Sequence, residues 1–138
     1  ISKLYPDFKV YSHACPMWCP LVENLEADGD GADYFVEKDI RSLFAMCGDI
    51  DTMVLGCTHY PLLLNKIMRN TPAGVTVMTQ GDVVARSLAG YLHRHPEIDA
   101  RCSRGGGTRY LTTENPSKFS DLARVFLRSD VEAEQIVL

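Results

Sequence analysis

Apolar residues recur along this chain with spacings that predict alternating helices and strands. From Val36 to Phe44 they fall at positions i, i+4, i+7 and i+8, the pattern of an amphipathic helix, and the pattern recurs from Val84 to Leu92. A third helix is predicted from the Asn115-Pro116 cap onward, and a short one at Leu21–Leu25. Short apolar or β-branched runs predict strands at Phe8–Tyr11, Thr52–Leu55, Val75–Met78, Thr108–Thr112 and Gln135–Leu138. This alternation indicates an α/β fold with a mostly parallel sheet flanked by helices.

One strand-to-helix junction carries candidate chemistry. The run Thr52–Leu55 predicts a buried parallel strand, and Pro61 is suited to the first turn of a helix. Cys57 and His59 lie between them, at the strand end where open α/β sheets bind ligands. A helix amino terminus there favours a thiolate, so Cys57 could act as a base or nucleophile. Position alone supports a catalytic and a structural thiol equally, and the neighbouring His59 favours the catalytic role.

Composition excludes several classes of partner. The chain has 138 residues, 46% of them hydrophobic, and a net charge of −4. The acidic balance gives no reason to expect nucleic acid or an anionic membrane, and no apolar run is long enough to span a bilayer. No secretory leader is present, so we expect a cytoplasmic protein with reduced thiols. The chain starts at Ile1 without a Met, so we expect that an amino-terminal part is missing.

The remaining patterns do not predict a metal or phosphate site. The five cysteines show no disulfide-scaffold spacing, and Cys15 and Cys19 form one loose pair where structural zinc usually needs tighter pairs. The acidic loop at 28–33 lacks the glycine at the sixth position and the bidentate glutamate at the twelfth that a calcium-binding loop needs. The glycines at 105–107 precede a strand, whereas a phosphate-binding loop follows one. His13 has no partner pattern.

Several motifs resemble those of bacterial glutamate racemases, in the aspartate/glutamate racemase superfamily. Leu55-Gly56-Cys57-Thr58-His59-Tyr60-Pro61 resembles the carboxy-terminal active-site motif of that family. Ala14-Cys15-Pro16 followed by Pro20-Leu21-Val22-Glu23 resembles its upstream motif, and Thr112-Thr113 with Pro116 resembles its late segment. The resemblance covers essentially the whole chain, and the motif around Cys57 is the most specific part.

The resemblance implies a cofactor-independent enzyme that interconverts L- and D-glutamate and supplies D-glutamate for peptidoglycan. Two thiols flank the α-carbon, because inversion needs a base on one face and an acid on the other. By resemblance, Cys57 is one of these thiols, His59 assists its proton transfers, and Glu23 orients His59. Thr58 and His59 would bind the substrate. No metal and no pyridoxal phosphate are implied.

The resemblance also implies a missing half. Members of the family have two pseudo-symmetric α/β domains, and the amino-terminal motifs with the second cysteine do not occur here. Residues 1–79 would be most of the second domain, and 80–138 a segment that returns to the missing first domain. The full-length protein would be a homodimer, and the 138-residue chain alone would be inactive. Thr79-Gln80-Gly81 replaces the Asp-Ser-Gly usual in the family at that place.

Two alternatives remain open. The chain could belong to another racemase of the superfamily, although His59 favours glutamate over aspartate as substrate. It could also be a non-catalytic binding or metal-binding module that uses Cys15, Cys19 and Cys57.

Overall fold

A computed structural model describes all residues, 1–138. Its regular elements are helices and short parallel strands. In chain order the elements are α1 (Trp18–Glu23), α2 (Asp30–Met46), β1 (Thr52–Val54), a 3-10 turn (Tyr60–Leu63), α3 (Leu64–Asn70), β2 (Thr76–Met78), α4 (Gln80–Arg94), α5 (Pro96–Asp99), β3 (Tyr110–Thr112), α6 (Pro116–Leu127) and β4 (Ala133–Gln135). None of these helices combines the length and the apolarity that crossing a bilayer would require. The expected α/β class with parallel strands is confirmed.

The chain divides into two compact units, Ile1–Val83 and Val84–Leu138. In the first unit β1 and β2 pair in parallel, with Met53 opposite Val77. The Leu55 N–H donates to the Met78 carbonyl at 2.9 Å, which carries the ladder one residue past β1. The 3-10 turn and α3 connect the two strands, so this part of the unit is a βαβ crossover.

The second unit contains a crossover of the same kind. Strands β3 and β4 pair in parallel, with Leu111 opposite Glu134, and α6 connects them. The side chain of Asn115 accepts hydrogen bonds from the N–H groups of Ser117 and Lys118, at 2.9 and 3.3 Å. These bonds confirm the predicted helix start, because they satisfy amide groups that the first turn leaves without partners.

The core of the first unit lies between α1, α2, α3 and one side of β1. Its buried members are Trp18, Val22, Ala32, Val36, Ile40, Met53, Leu55, Leu63 and Ile67. Met53 and Leu55 face this core, whereas Val54 between them is 57% exposed. The expectation that this strand is buried on both faces is therefore wrong, because side chains alternate along a strand and helices pack on one side only.

Other details of the predicted sheet are also wrong. The strands pair two by two, β1 with β2 and β3 with β4, and no larger sheet forms. Phe8–Tyr11 forms no strand and its apolar side chains are exposed, because no neighbouring strand pairs with it. The last strand ends at Gln135, the residue at which it was predicted to begin, and the short helix α5 has no counterpart among the predicted elements.

A buried lysine joins α3 to the start of α2. Lys66 is 7% exposed, and its ammonium donates to the Asp33 carboxylate at 2.6 Å and to the Asp28 and Gly29 carbonyls at 3.1 and 3.3 Å. Arg69 donates to the other oxygen of Asp33 at 2.9 Å. The hydrogen bond from Lys66 holds the pKa of the Asp33 carboxyl below its usual value. Three acceptors around one ammonium compensate for its removal from water.

We predict that Lys66→Met lowers the free energy of unfolding by about 1–3 kcal/mol at pH 7, since hydrogen bonds from a buried charged group are lost. Arg69→Met is the matched control, because that side chain is 65% exposed and its loss should cost less than about 1 kcal/mol. Urea unfolding measures both.

The difference in the free energy of unfolding between wild type and Lys66→Met should become smaller as the pH falls. The lowered pKa of Asp33 contributes stability above the usual carboxyl pKa of about 3.9 and loses that contribution as the pH falls through the lower, folded-state value. The gap between wild type and Lys66→Met should therefore narrow in acid. Equal effects of Lys66→Met and Arg69→Met at pH 7 would contradict the role given to the buried ammonium.

Candidate active site

Helix α1 presents two polar side chains because two apolar ones anchor it. Trp18 and Val22, four residues apart, are 2% and 1% exposed and face the core. Cys19 and Glu23 are likewise four residues apart, and so they lie together on an adjacent face of the helix. The Trp18 ring packs edge-on against Tyr60, with centroids 4.7 Å apart. This contact sets α1 against the loop that follows β1.

That loop folds back on itself directly after the buried Leu55. The Tyr60 N–H donates to the Cys57 carbonyl at 3.3 Å, and the Leu62 N–H donates to the His59 carbonyl at 3.0 Å. In this turn the Cys57 Sγ lies 3.6 Å from the His59 Nδ1. The helical turn beside it is a 3-10 turn of four residues, and α3 begins only at Leu64. The expected α-helix amino terminus at Pro61 is therefore replaced by a tighter turn.

Glu23 and His59 come together across the two elements. The His59 Nε2 lies 3.1 Å from a Glu23 carboxylate oxygen, with the two side chains 25% and 54% exposed. A proton on Nε2 donates to the carboxylate, which leaves the lone pair of Nδ1 directed at the Cys57 thiol. The structure thus brings three of the residues singled out in the sequence into one chain of contacts, from Glu23 through His59 to Cys57.

Thr58 lies in the same turn and is exposed to solvent. Its backbone and hydroxyl are accessible to a ligand next to Cys57. The role in substrate binding that the resemblance implies for Thr58 and His59 stays a prediction.

Cys19 is a member of this site that the sequence indicated only for the alternative of a metal-binding module, and not for the enzyme. Its Sγ lies 3.4 Å from the Cys57 Sγ. Burial and the contact with Cys57 raise the pKa of the Cys19 thiol to about 11. Its spacing of four residues from Glu23 puts the two on one helix face once α1 is known to begin at Trp18.

The short distance between the two thiols limits what they can do together. A carbon atom attacked from opposite faces needs each sulfur at about 3–3.5 Å, so the two sulfurs must be about 6–7 Å apart. Cys19 and Cys57 are 3.4 Å apart, which leaves no room for a carbon atom between them. Cys19 therefore cannot be the thiol that serves the other face of a substrate at Cys57.

A second polar cluster lies nearby. The His13 Nε2 donates to the Asp39 carboxylate at 3.2 Å, so His13 has a partner that the sequence did not reveal. Asp39 is 7% exposed, and its Oδ2 has no hydrogen-bond partner. Burial, together with the charge of Asp39, raises the pKa of Cys15 to about 12. Cys15 is therefore a thiol at neutral pH.

Comparison with known proteins points to one family. A glutamate racemase of Streptococcus suis is 33% identical over 138 residues, which are 100% of this chain and 51% of that protein. A crystal structure of a glutamate racemase isoform from Bacillus anthracis aligns with a TM-score of 0.82 and 28% identity over 99% of this chain and 50% of the other. The glutamate racemase of Francisella tularensis, solved in complex with D-glutamate, shares the fold at 22% identity, with a TM-score of 0.79 over 99% of this chain and 49% of the other.

The similarity runs through the whole of this chain but through only part of its relatives. No family model matches the chain. The chain spans about half the length of the curated relatives it matches, and about half of the solved structures. The resemblance expected from the motifs is confirmed, and it extends to both units of the structure.

We predict that Cys57 is alkylated first when the chain meets limiting iodoacetamide at pH 7. Cys15 and Cys19 have raised pKa values of about 12 and 11, so at most about one molecule in 10,000 carries either thiolate at that pH. The Cys57 Sγ instead lies 3.6 Å from the Nδ1 of His59, a group that can accept its proton. Peptide mapping by mass spectrometry gives the order.

Two further observations check this prediction. Labelling of Cys19 should rise about tenfold for each pH unit from 7 to 10, because its thiolate fraction does. The exposed Cys102 is the internal reference for simple accessibility. Faster labelling of Cys19, Cys47 or Cys102 than of Cys57 would show that Cys57 is not the activated thiol.

Proposed function

We propose that this chain, which is homologous to glutamate racemases over its whole length, is the half of such an enzyme that carries one of its two acid–base thiols. The reaction is the interconversion of L- and D-glutamate without metal or pyridoxal phosphate. One observation carries the proposal: His59 lies between the Glu23 carboxylate at 3.1 Å and the Cys57 thiol at 3.6 Å. This arrangement suits a thiol that must both lose and regain a proton.

Each of the three residues has a distinct task in this proposal. Cys57 as a thiolate removes the α-proton of one enantiomer, and as a thiol it returns a proton to the same face in the reverse direction. His59 accepts the proton of Cys57 through Nδ1 and gives it back. Glu23 accepts a hydrogen bond from Nε2, which directs Nδ1 at Cys57 and stabilises the imidazolium when it forms.

The thiol for the opposite face must come from another part of the protein. Inversion needs a proton donor about 6–7 Å from Cys57 across the α-carbon, and Cys19 at 3.4 Å is too close. We assign this second thiol to an amino-terminal domain that precedes residues 1–138. The half-length match to the relatives supports this assignment.

The surface of α4 also supports a partner domain. Val84, Leu88 and Tyr91 recur along one face of this helix and are 61%, 55% and 43% exposed. No residue of α4 is buried, which is unusual for an amphipathic helix of 15 residues. We propose that the segment 80–138 packs on the amino-terminal domain and that this contact covers the apolar face. A homodimer, a cytoplasmic location and a supply of D-glutamate to peptidoglycan complete the proposal.

Substrate recognition is assigned to the loop that carries the thiol. Thr58, exposed beside Cys57, offers its backbone N–H and hydroxyl to a substrate carboxylate. The related enzyme from Francisella tularensis was solved with D-glutamate, which supports glutamate as the ligand proposed here. Aspartate is the alternative substrate, and a comparison of the two amino acids in one assay distinguishes them.

We predict that the 138-residue chain alone converts no L-glutamate to the D-enantiomer, because it supplies a proton on one face only. The longer protein that contains this chain should racemise glutamate without added cofactor, and Cys57→Ala should abolish the reaction. Circular dichroism of glutamate follows the conversion. Racemisation by the isolated chain would contradict the assignment of the second thiol, and an active Cys57→Ala protein would contradict the mechanism.

We predict that Glu23→Gln in the longer protein lowers kcat by about 10- to 100-fold, the effect of losing a charged hydrogen bond worth about 1.5–3 kcal/mol. KM should change little, because Glu23 acts through His59 and not on the substrate. Glu26→Gln is a matched control, because it neutralises a carboxylate three residues further along the chain from Glu23. An unchanged pH profile of kcat in Glu23→Gln would contradict the role of Glu23 in holding His59.

A further inference from the structure

The contact between Cys19 and Cys57 has no use in the proposed proton transfers, although it is among the closest polar contacts of the site. Cys19 Sγ, Cys57 Sγ and the ring nitrogen of His59 all lie within 4.8 Å of one another. Two thiols and an imidazole at this range form the donor set of zinc sites with two cysteines and one histidine.

We propose that Cys19, Cys57 and His59 bind a thiophilic divalent cation, Zn²⁺ or its analogue Co²⁺. The proposal rests on the proposed function in one respect only, its effect on catalysis, because a metal ion on Cys57 would stop proton transfer at that thiol. The binding itself depends on the three donor atoms alone.

The distances agree with tetrahedral coordination. Zinc bonds of about 2.3 Å to sulfur and 2.0–2.1 Å to nitrogen put two sulfurs about 3.8 Å apart and a sulfur and a nitrogen about 3.6 Å apart. The observed separations are 3.4 Å between the two sulfurs and 3.6 Å between Cys57 Sγ and His59 Nδ1. The two thiols thus need to move apart by a few tenths of an ångström to hold the ion, and the separation of Cys57 from His59 already fits. The third pair, Cys19 Sγ and a ring nitrogen of His59, lies within 4.8 Å.

The surroundings of His59 fit the same purpose. Histidines that bind a metal through one nitrogen usually donate the other N–H to a carboxylate, which fixes the ring and strengthens the metal bond. His59 directs Nδ1 at Cys57 and Nε2 at Glu23, 3.1 Å away. Three protein ligands leave the fourth position of the ion to water or to an external ligand. Binding releases the protons of both thiols to solvent.

The sequence argued against zinc because ligands of structural sites usually come in tight pairs. Here the donors come from two places, Cys19 on α1 and Cys57-Thr58-His59 in the loop after β1, which are 38 residues apart. The packing of Trp18 on Tyr60 brings them together. A site assembled in this way lacks the tight ligand spacing of structural zinc sites, and the fold shows which of the candidate ligands come together.

Cobalt spectroscopy on the reduced 138-residue chain tests the proposal. Under exclusion of oxygen, Co²⁺ should bind at one ion per chain and give the intense visible bands of tetrahedral cobalt with a thiolate-to-cobalt absorption. Zn²⁺ should displace it and bleach these bands. A pale six-coordinate spectrum, or no binding, would overturn the proposal without any variant.

Variants locate the ion. Cys19→Ser and Cys57→Ser should each weaken Co²⁺ binding by at least tenfold, and Glu23→Gln by about 10- to 100-fold. Cys102→Ser controls for an exposed thiol elsewhere, and Cys15→Ser controls for the cluster of His13, Cys15 and Asp39, whose donor atoms also lie close together. Both controls should bind Co²⁺ as wild type does. If Cys15→Ser abolishes the bands, or if they survive both Cys19→Ser and Cys57→Ser, the assignment is wrong.

Two measurements separate this proposal from the proposed function. Far-ultraviolet circular dichroism checks that each variant is folded, and His59→Gln replaces any cysteine variant that is not. In the longer protein, Zn²⁺ should inhibit racemisation, a chelator should reverse the inhibition, and Cys19→Ser should raise the inhibitory Zn²⁺ concentration at least tenfold. Racemisation that Zn²⁺ does not inhibit would overturn the consequence for catalysis. A longer protein without racemase activity would overturn the proposed function, and the cobalt spectra would still decide the metal site.

Discussion

The packing of Trp18 against Tyr60 is the contact on which the candidate site depends. One residue lies in α1 and the other starts the 3-10 turn after β1, and their rings meet edge-on at 4.7 Å. Trp18 is 2% exposed and its indole N–H has no partner, so its burial is stabilised by apolar contact alone. Every polar contact between Cys19 or Glu23 and the loop relies on this apolar junction.

This arrangement separates the parts of the site that hold it together from the parts that react. Leu55, Leu63 and Trp18 are buried, and between them the chain exposes part of Cys57 and His59. Because both ends of the loop are anchored in the core, the sulfur and the imidazole keep a defined separation. The packing of α1 on this loop holds Cys19 close to Cys57, so the proposed proton transfer and the proposed metal site share the same side chains.

Apolar side chains lack cover on one side of β1 and on α4, the helix that follows the first βαβ crossover in the chain. Val54 on the outer side of β1 and the stripe on α4 are more exposed than apolar positions of a parallel sheet and an amphipathic helix usually are. The amino-terminal domain assigned under the proposed function would cover this surface, and the match to about half the length of each relative supports that assignment. A domain that covered it would also be the natural source of the second thiol.

Much of this protein was determined by the sequence itself. Apolar residues about 3.6 positions apart predicted α2, α4 and α6, and the Asn115 cap predicted where α6 starts. Both signals are local, so they can be recognised without the tertiary structure. The motif around Cys57 predicted the resemblance to glutamate racemases that the comparisons confirm, and the resemblance pointed to His59 and Glu23. The prediction of a strand at Phe8–Tyr11 is wrong, because a strand needs a neighbouring strand to pair with. An apolar run alone does not indicate whether such a neighbour exists.

Only the tertiary structure decided the contacts between distant residues. Three side-chain contacts join residues that are 26 to 38 positions apart: His13 with Asp39, Lys66 with Asp33, and Cys19 with Cys57. No local pattern encodes such pairs, since they depend on the angle at which helices pack on the core. The sequence supplied the reactive groups, and the packing of α1 on the loop decided which of them touch.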